Sequence, residues 1–196
     1  MAEIKSTIEL VMERAATMGK ATSEEIAGEE ARKAGMQAAA GYLSGATADL
    51  TKVLDTQKAA AQPQVRAGMV ESLLHNVFLP KDELSRPRLE LALQGLITLG
   101  NNARNVKSIC KDLTKITEQY GQHRTQLKAQ LEEQIRLQYE QLLMQQGHDP
   151  AAIRLDPTMQ PKFQEEWSKV EEKLNAQYGQ VLAQHKDTLR QQLDTP

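Results

Sequence analysis

The chain has 196 residues, 40% of them hydrophobic and 26% charged, with a formal net charge of -2. That balance excludes a polybasic nucleic-acid binder and an acidic tail. Cys110 is the one cysteine, so no disulfide framework forms within the chain, and a reducing compartment is favoured. The N-terminal stretch MAEIKSTIELVMER lacks the apolar core of a secretory signal. No run approaches the ~18 apolar residues of a membrane span. These features predict a soluble, cytoplasmic protein with no membrane partner. Aromatics are scarce (one Trp, two Phe, four Tyr), and the chain is rich in Ala, Leu and Gln. Such a composition suits closely approaching helices and offers little to an aromatic-lined ligand pocket.

The first predicted helix runs from Ala2 to Met18, with Ile4, Ile8, Val11, Met12 and Ala15 at helical spacing. Gly19 follows where a terminating glycine belongs. A second helix begins at Thr22, whose spacing to Glu25 is that of a capping box. Its body, Ile26 to about Ala61, carries a small-residue stripe of Ala27, Ala31, Ala34, Ala38, Gly41, Gly45 and Ala48. Such a stripe admits another helix at short range. The glycines at 28, 35, 41 and 45 each cost ~1 kcal/mol of helix propensity, so a break near Gly41 to Gly45 is an open alternative.

A third, short helix follows Pro63, with Val65, Met69, Val70, Leu73, Leu74, Val77 and Phe78 on one face. Pro80 and Pro87 mark a turn after it. The fourth segment has apolar positions Leu89, Leu93, Leu96, Ile97, Leu99, Val106, Ile109, Cys110, Leu113, Ile116 and Tyr120. A heptad rhythm holds from 106 to 120. The stripe resumes at Leu127, Leu131, Ile135, Tyr139 and Leu142. Unbroken from 87 to 146 this would be a rod of ~90 Å, so a kink near Gly100 or Gly121, or a projecting arm, is expected. The fifth segment keeps a narrow stripe through Phe163, Trp167, Val170, Leu174, Tyr178, Val181, Leu182, His185, Leu189 and Leu193. Two such stripes joined by a loop form an antiparallel hairpin.

The connecting stretch QQGHDPAAIRLDP contains a histidine and two Asp-Pro pairs. Gly147 is read as ending one helix, and Asp149-Pro150 and Asp156-Pro157 as caps followed by proline in the first turn. Pro161 then starts the return helix. His148 has no second ligand in the loop, so capping is preferred to catalysis.

Other chemistry-bearing residues are weighed in the same way. With the bend near 153 or 154, facing positions total about 307, which places His123 opposite about 184 and brings it near His185. Two histidines alone make an incomplete zinc site. Cys110 on the apolar stripe reads as inert. Arg104, Lys107, Lys111 and Lys115 make a basic line that could track phosphates, be a solvated face, or meet the acidic start of the second helix. No aromatics interleave with it for base stacking, so nucleic acid is not the expected partner. Gln119, Gln122, Gln126, Gln130, Gln134, Gln138, Gln141 and Gln145 flank the seam, either as a neutral soluble edge or as a lateral contact surface. Glu165-Glu166 and Glu171-Glu172 sit on an open helix, where carboxylates make poor general acids. Phosphate-loop, metalloprotease and nucleophile-elbow motifs are absent. No catalytic, cofactor-binding or metal residue is expected, and no cofactor.

The opening AEIKSTIELVMER, followed by a capped Glu-rich helix, resembles a family of small uncharacterised bacterial helical proteins. That resemblance implies an all-helical fold and brings no activity, cofactor or functional residue to carry over. The C-terminal hairpin is similar in general form to stalk and tether proteins.

The fold expected is all-α. A helical bundle spans 1–119, and an antiparallel hairpin spans 120–196 with its loop at 147–160. The hairpin is expected to pair with another copy or lie along the bundle. The function expected is a non-enzymatic interaction or scaffold protein, self-associating as a dimer, with a possible protein partner. Alternatives are a stalk, tether or chaperone-like subunit of a bacterial assembly, and a helical enzyme or ligand-binding protein with a pocket in the N-terminal bundle.

Overall fold

The computed structural model describes Ile8, residues 22–149 and residues 156–194. The first predicted helix lies outside the described residues except for Ile8, which is helical and 69% exposed. Six further helices follow: α1 (Ser23–Leu43), α2 (Leu50–Asp55), α3 (Gln62–His75), α4 (Arg86–Leu99), α5 (Arg104–Gln145) and α6 (Pro161–Asp194). Two single 3-10 turns, Glu83–Ser85 and Pro157–Met159, complete the order. Among the described residues there is no strand, so the fold is all-α as expected.

The capping box at the start of α1 is formed. The Thr22 N–H donates to Glu25 Oε2 at 2.7 Å and the Glu25 N–H to Thr22 Oγ1 at 3.2 Å. The helix expected from Ile26 to about Ala61 takes the alternative of a break near Gly41 to Gly45. It stops at Leu43, Gly45 has a φ of 80°, and Asp49 nucleates α2 by accepting from the Thr51 and Lys52 N–H groups. The Asp49 carboxylate satisfies donors that a continuing helix would have bonded internally.

α1 crosses α3 at two glycines. A Cβ on Gly35 would overlap the carbonyl oxygen of Val65, and one on Gly68 the carbonyl oxygen of Arg32. The close approach that the small-residue stripe implied is therefore real. Its tightest point is Gly35, which lies off that stripe. Arg32 and Glu71 pair at 2.7 Å beside the crossing.

Residues 87–146 are not one rod. α4 ends at Leu99, and Asn101 and Asn102 adopt left-handed backbone with φ of 51° and 58°. Asn tolerates that region better than most residues, so the chain turns there and α5 starts afresh. Gly121 does not interrupt α5, which runs for 42 residues, about 63 Å.

A single core joins Leu73 of α3, Leu96 of α4, Leu113 of α5 and Leu189 and Leu193 of α6. The end of α6 is thus seated in the bundle. Lys186 Nζ donates to the Val77 carbonyl at 2.9 Å, and Arg66 Nη2 to the Leu99 carbonyl at 3.0 Å. Each cation meets an orphan carbonyl just past or at a helix C-terminus, where the macrodipole also favours it.

Beyond Tyr120, α5 continues for about 37 Å with α6 antiparallel to it. Ile135, Phe163 and Leu174 are buried along this arm. The hairpin is confirmed, but its register differs from the symmetric one. Tyr120 meets Asn175, Arg124 meets Glu171, and Gln138 meets Lys162, so facing positions total 295 to 300 rather than about 307. The last two turns of α5 overhang the start of α6. The 3-10 turn fills that gap, burying Pro157 and touching both helices.

Candidate functional site

Three surfaces carry enough chemistry to be considered. The first is a polar belt where the arm leaves the bundle. The Tyr120 hydroxyl donates to Asn175 Oδ1 at 2.7 Å, and the Tyr178 ring stands edge-on to Tyr120 at 5.6 Å. The Tyr178 hydroxyl and His123 Nδ1 are 2.6 Å apart. Arg124 is the hub. It donates from Nε to Glu171 Oε1 at 2.8 Å and from Nη1 to the Lys81 carbonyl at 3.0 Å, with its guanidinium 5.5 Å from the Trp167 ring centre. Burial raises the Tyr120 pKa and the Arg124 charge partly offsets it. No buried side-chain nitrogen or oxygen among the described residues lacks a partner. The groups of the belt bond one another, which seals the seam and fixes its register.

The belt also corrects two expectations. His123 does not meet His185. It meets Tyr178, while His185 Nδ1 bonds the Val181 carbonyl of its own helix at 2.9 Å. The cause is the slipped register. Among the described residues, no group of three or more His, Cys, Asp or Glu could hold a metal. Glu171 is not on an open face but half-buried against Arg124, whereas Glu165 and Glu166 do lie outside and share Lys169. Arg124 and Asn175 were not singled out from the sequence, and Glu171 and Trp167 were read there only as an open-helix carboxylate and a stripe residue. A polar run at core-facing phase, 120, 124, 171 and 175, is the signal that could have found them.

The second surface is a groove of about 550 Å³ between α4 and α5. Leu93, Ile97 and Cys110 line its floor, and Lys107, Lys111 and Lys115 stand on its α5 lip. The predicted basic line is therefore an exposed edge over an apolar channel. Lys115 pairs with Asp112 at 3.8 Å. Cys110 is buried, and burial pushes its thiol up to about 11, which keeps it protonated and a poor nucleophile at neutral pH.

The third is the arm itself. Leu137, Leu142, Met144 and Met159 are 45%, 46%, 63% and 71% exposed near its tip. All eight seam-flanking glutamines are exposed, and Gln138 accepts from Lys162 Nζ across the hairpin at 2.7 Å. The loop chemistry is structural where it is described. Gly147, at φ 79°, lets the His148 N–H reach the Leu143 carbonyl and the Gly147 N–H the Met144 carbonyl, a Schellman termination. Asp156 caps the Pro157–Met159 turn through the Thr158 N–H at 2.9 Å. The Asp149-Pro150 cap falls partly outside the described residues.

A family model described as a family of unknown function (DUF6657) matches residues 51–191. The chain belongs to that family. The DUF6657 match starts in α2 and ends in α6, so it includes the groove, the belt and the arm. It leaves out the opening stretch on which the sequence resemblance rested. No curated protein and no solved structure matches the chain. No helix among the described residues is long and apolar enough to cross a membrane.

Proposed function

We propose that this chain is a non-enzymatic interaction protein of the cytoplasm that self-associates through helix–helix contacts. The observation that carries the reading is the arm. It stands about 37 Å clear of the bundle core and leaves Leu137, Leu142, Met144 and Met159 exposed. Exposed apolar side chains on one element favour a protein contact surface over a solvated one. The glutamine edges donate and accept hydrogen bonds at once, which suits pairing with another helix. Light scattering on the full chain tests this: an average mass that rises with concentration supports it, and a concentration-independent monomer opposes it.

A second reading is a tether that holds a different protein at the arm tip. The length of the arm and the sealed belt at its root favour it, since a stiff, register-locked hairpin positions its tip. Under this reading Leu137→Ser with Met144→Ser abolishes binding of the partner while self-association persists.

A further inference from the structure

We propose that the hollow between α2, α3 and the ends of α4 and α6 binds a small zwitterion with an apolar side chain, of amino-acid or dipeptide size. The site is separate from the arm and does not depend on self-association. The hollow holds about 570 Å³, within the range of small-ligand pockets. Val70, Leu99 and Leu193 are buried at its floor, and Leu54 of α2 is half-buried in its wall. The link from α2 to α3 is pinned by its own side chains. Gln57 Nε2 donates to the Val53 carbonyl at 3.4 Å, and Gln62 Nε2 to the Gln57 carbonyl at 3.2 Å. The hollow is therefore formed in the free chain.

Two charges stand over this apolar floor. Among the described residues that line it, Arg66 is the one cation and Asp55 the one anion. Arg66 is half-buried, and its Nη2 donates to the Leu99 carbonyl at 3.0 Å. That bond fixes the guanidinium at the end of α4 and uses only part of its donor fork. Arg32, Arg124 and Arg136 each meet a glutamate. Arg66, which also reaches across the fold, meets no carboxylate among the described residues. Asp55 is exposed at the rim and pairs with no cation there, Arg66 included. A lone carboxylate would fill the Arg66 fork but set a second negative charge in the hollow with Asp55. A lone amine would answer Asp55 and leave the fork empty. A molecule carrying both charges places its carboxylate on Arg66, its ammonium on Asp55 and its side chain on the floor.

Isothermal titration calorimetry on the full-length protein tests this, with a thermal melt beside it. The probes are L-leucine, leucyl-leucine, isocaproate, which lacks the amine, and isoamylamine, which lacks the carboxylate. The better of the two zwitterions binds with a dissociation constant of about 1 mM or below and identifies the size class. Isocaproate and isoamylamine each bind about tenfold more weakly or worse. Arg66→Gln and Asp55→Asn each weaken the zwitterion by about tenfold or more. Asp55 bonds nothing in the fold, so Asp55→Asn carries the test should Arg66→Gln fail to fold. No heat and no rise in melting temperature from either zwitterion up to about 10 mM overturns the site. Isocaproate or isoamylamine binding as tightly as the zwitterion overturns the paired-charge assignment. Zwitterion binding that survives both substitutions lies elsewhere on the protein and overturns the hollow as its site.

Discussion

Gly35 and Gly68 face opposite helices at the α1–α3 crossing, each with its missing side chain replaced by a carbonyl oxygen of the other helix. Alanine at either position should destabilise the protein by about 1–3 kcal/mol through overpacking, despite the ~1 kcal/mol that alanine gains in helix propensity. Gly179, inside α6 with nothing near its absent side chain, provides the opposite sign. Gly179→Ala should stabilise by about 0.5–1 kcal/mol. Urea unfolding of the three variants measures both effects.

The belt predicts coupling between specific partners. Tyr120→Phe leaves Asn175 without its donor and should cost about 1–2 kcal/mol. In double-mutant cycles, His123→Ala with Tyr178→Phe should show an interaction, because the two side chains are bonded. His123→Ala with His185→Ala should be additive within about 0.5 kcal/mol. A large His123–His185 coupling would contradict the slipped register.

Stability at alkaline pH should carry a signature of Cys110. Its folded-state pKa is raised from 9.0 to about 11 by burial, so the unfolded chain releases the proton first. The contribution is present in full below pH 9.0 and is lost as pH rises toward about 11. Lys186 acts with the opposite sign. Desolvation against Val77 lowers its pKa below 10.5, so its contribution is present above 10.5 and lost as pH falls through the lowered value. Comparing the protein with Cys110→Val across this range isolates the cysteine: the variant should lose the decline. In the native state Cys110 should resist thiol reagents at neutral pH until the chain unfolds.

At acidic pH the caps Asp49, Asp156 and Asp82, which accepts from the Ser85 N–H at 2.9 Å, act together. Each has a pKa lowered from 3.8, chiefly by side-chain hydrogen bonds from Thr51, Ser85 and Thr158. Their stabilisation is present above 3.8 and is lost as pH falls through the lowered values. Asp49→Asn should flatten the acid limb of the stability curve, as read by circular dichroism.

Much of the hairpin was legible because its cues are local. The stripes of α5 and α6, the glycine at 147 and the proline at 161 each act within a turn or two of chain. The break after Leu99 was only half legible. Gly100 and Gly121 look alike in sequence, and it is the two asparagines after Gly100 that take the left-handed backbone. The register was not legible, since it depends on the 3-10 turn at Pro157–Met159 packing against both long helices, which no local cue announces. The Arg124 belt was hidden for the same reason: until the register is known, Arg124 and Glu171 are two charges on separate helices. Gly35 was overlooked as the contact point because which glycine meets another helix depends on a crossing that periodicity does not encode.

Sedimentation equilibrium of the full-length chain across the micromolar range tests the central claim most directly. Self-association predicts a weight-average mass that climbs from the 21.9 kDa of one chain toward twice that value. A mass that holds at one chain throughout would contradict it.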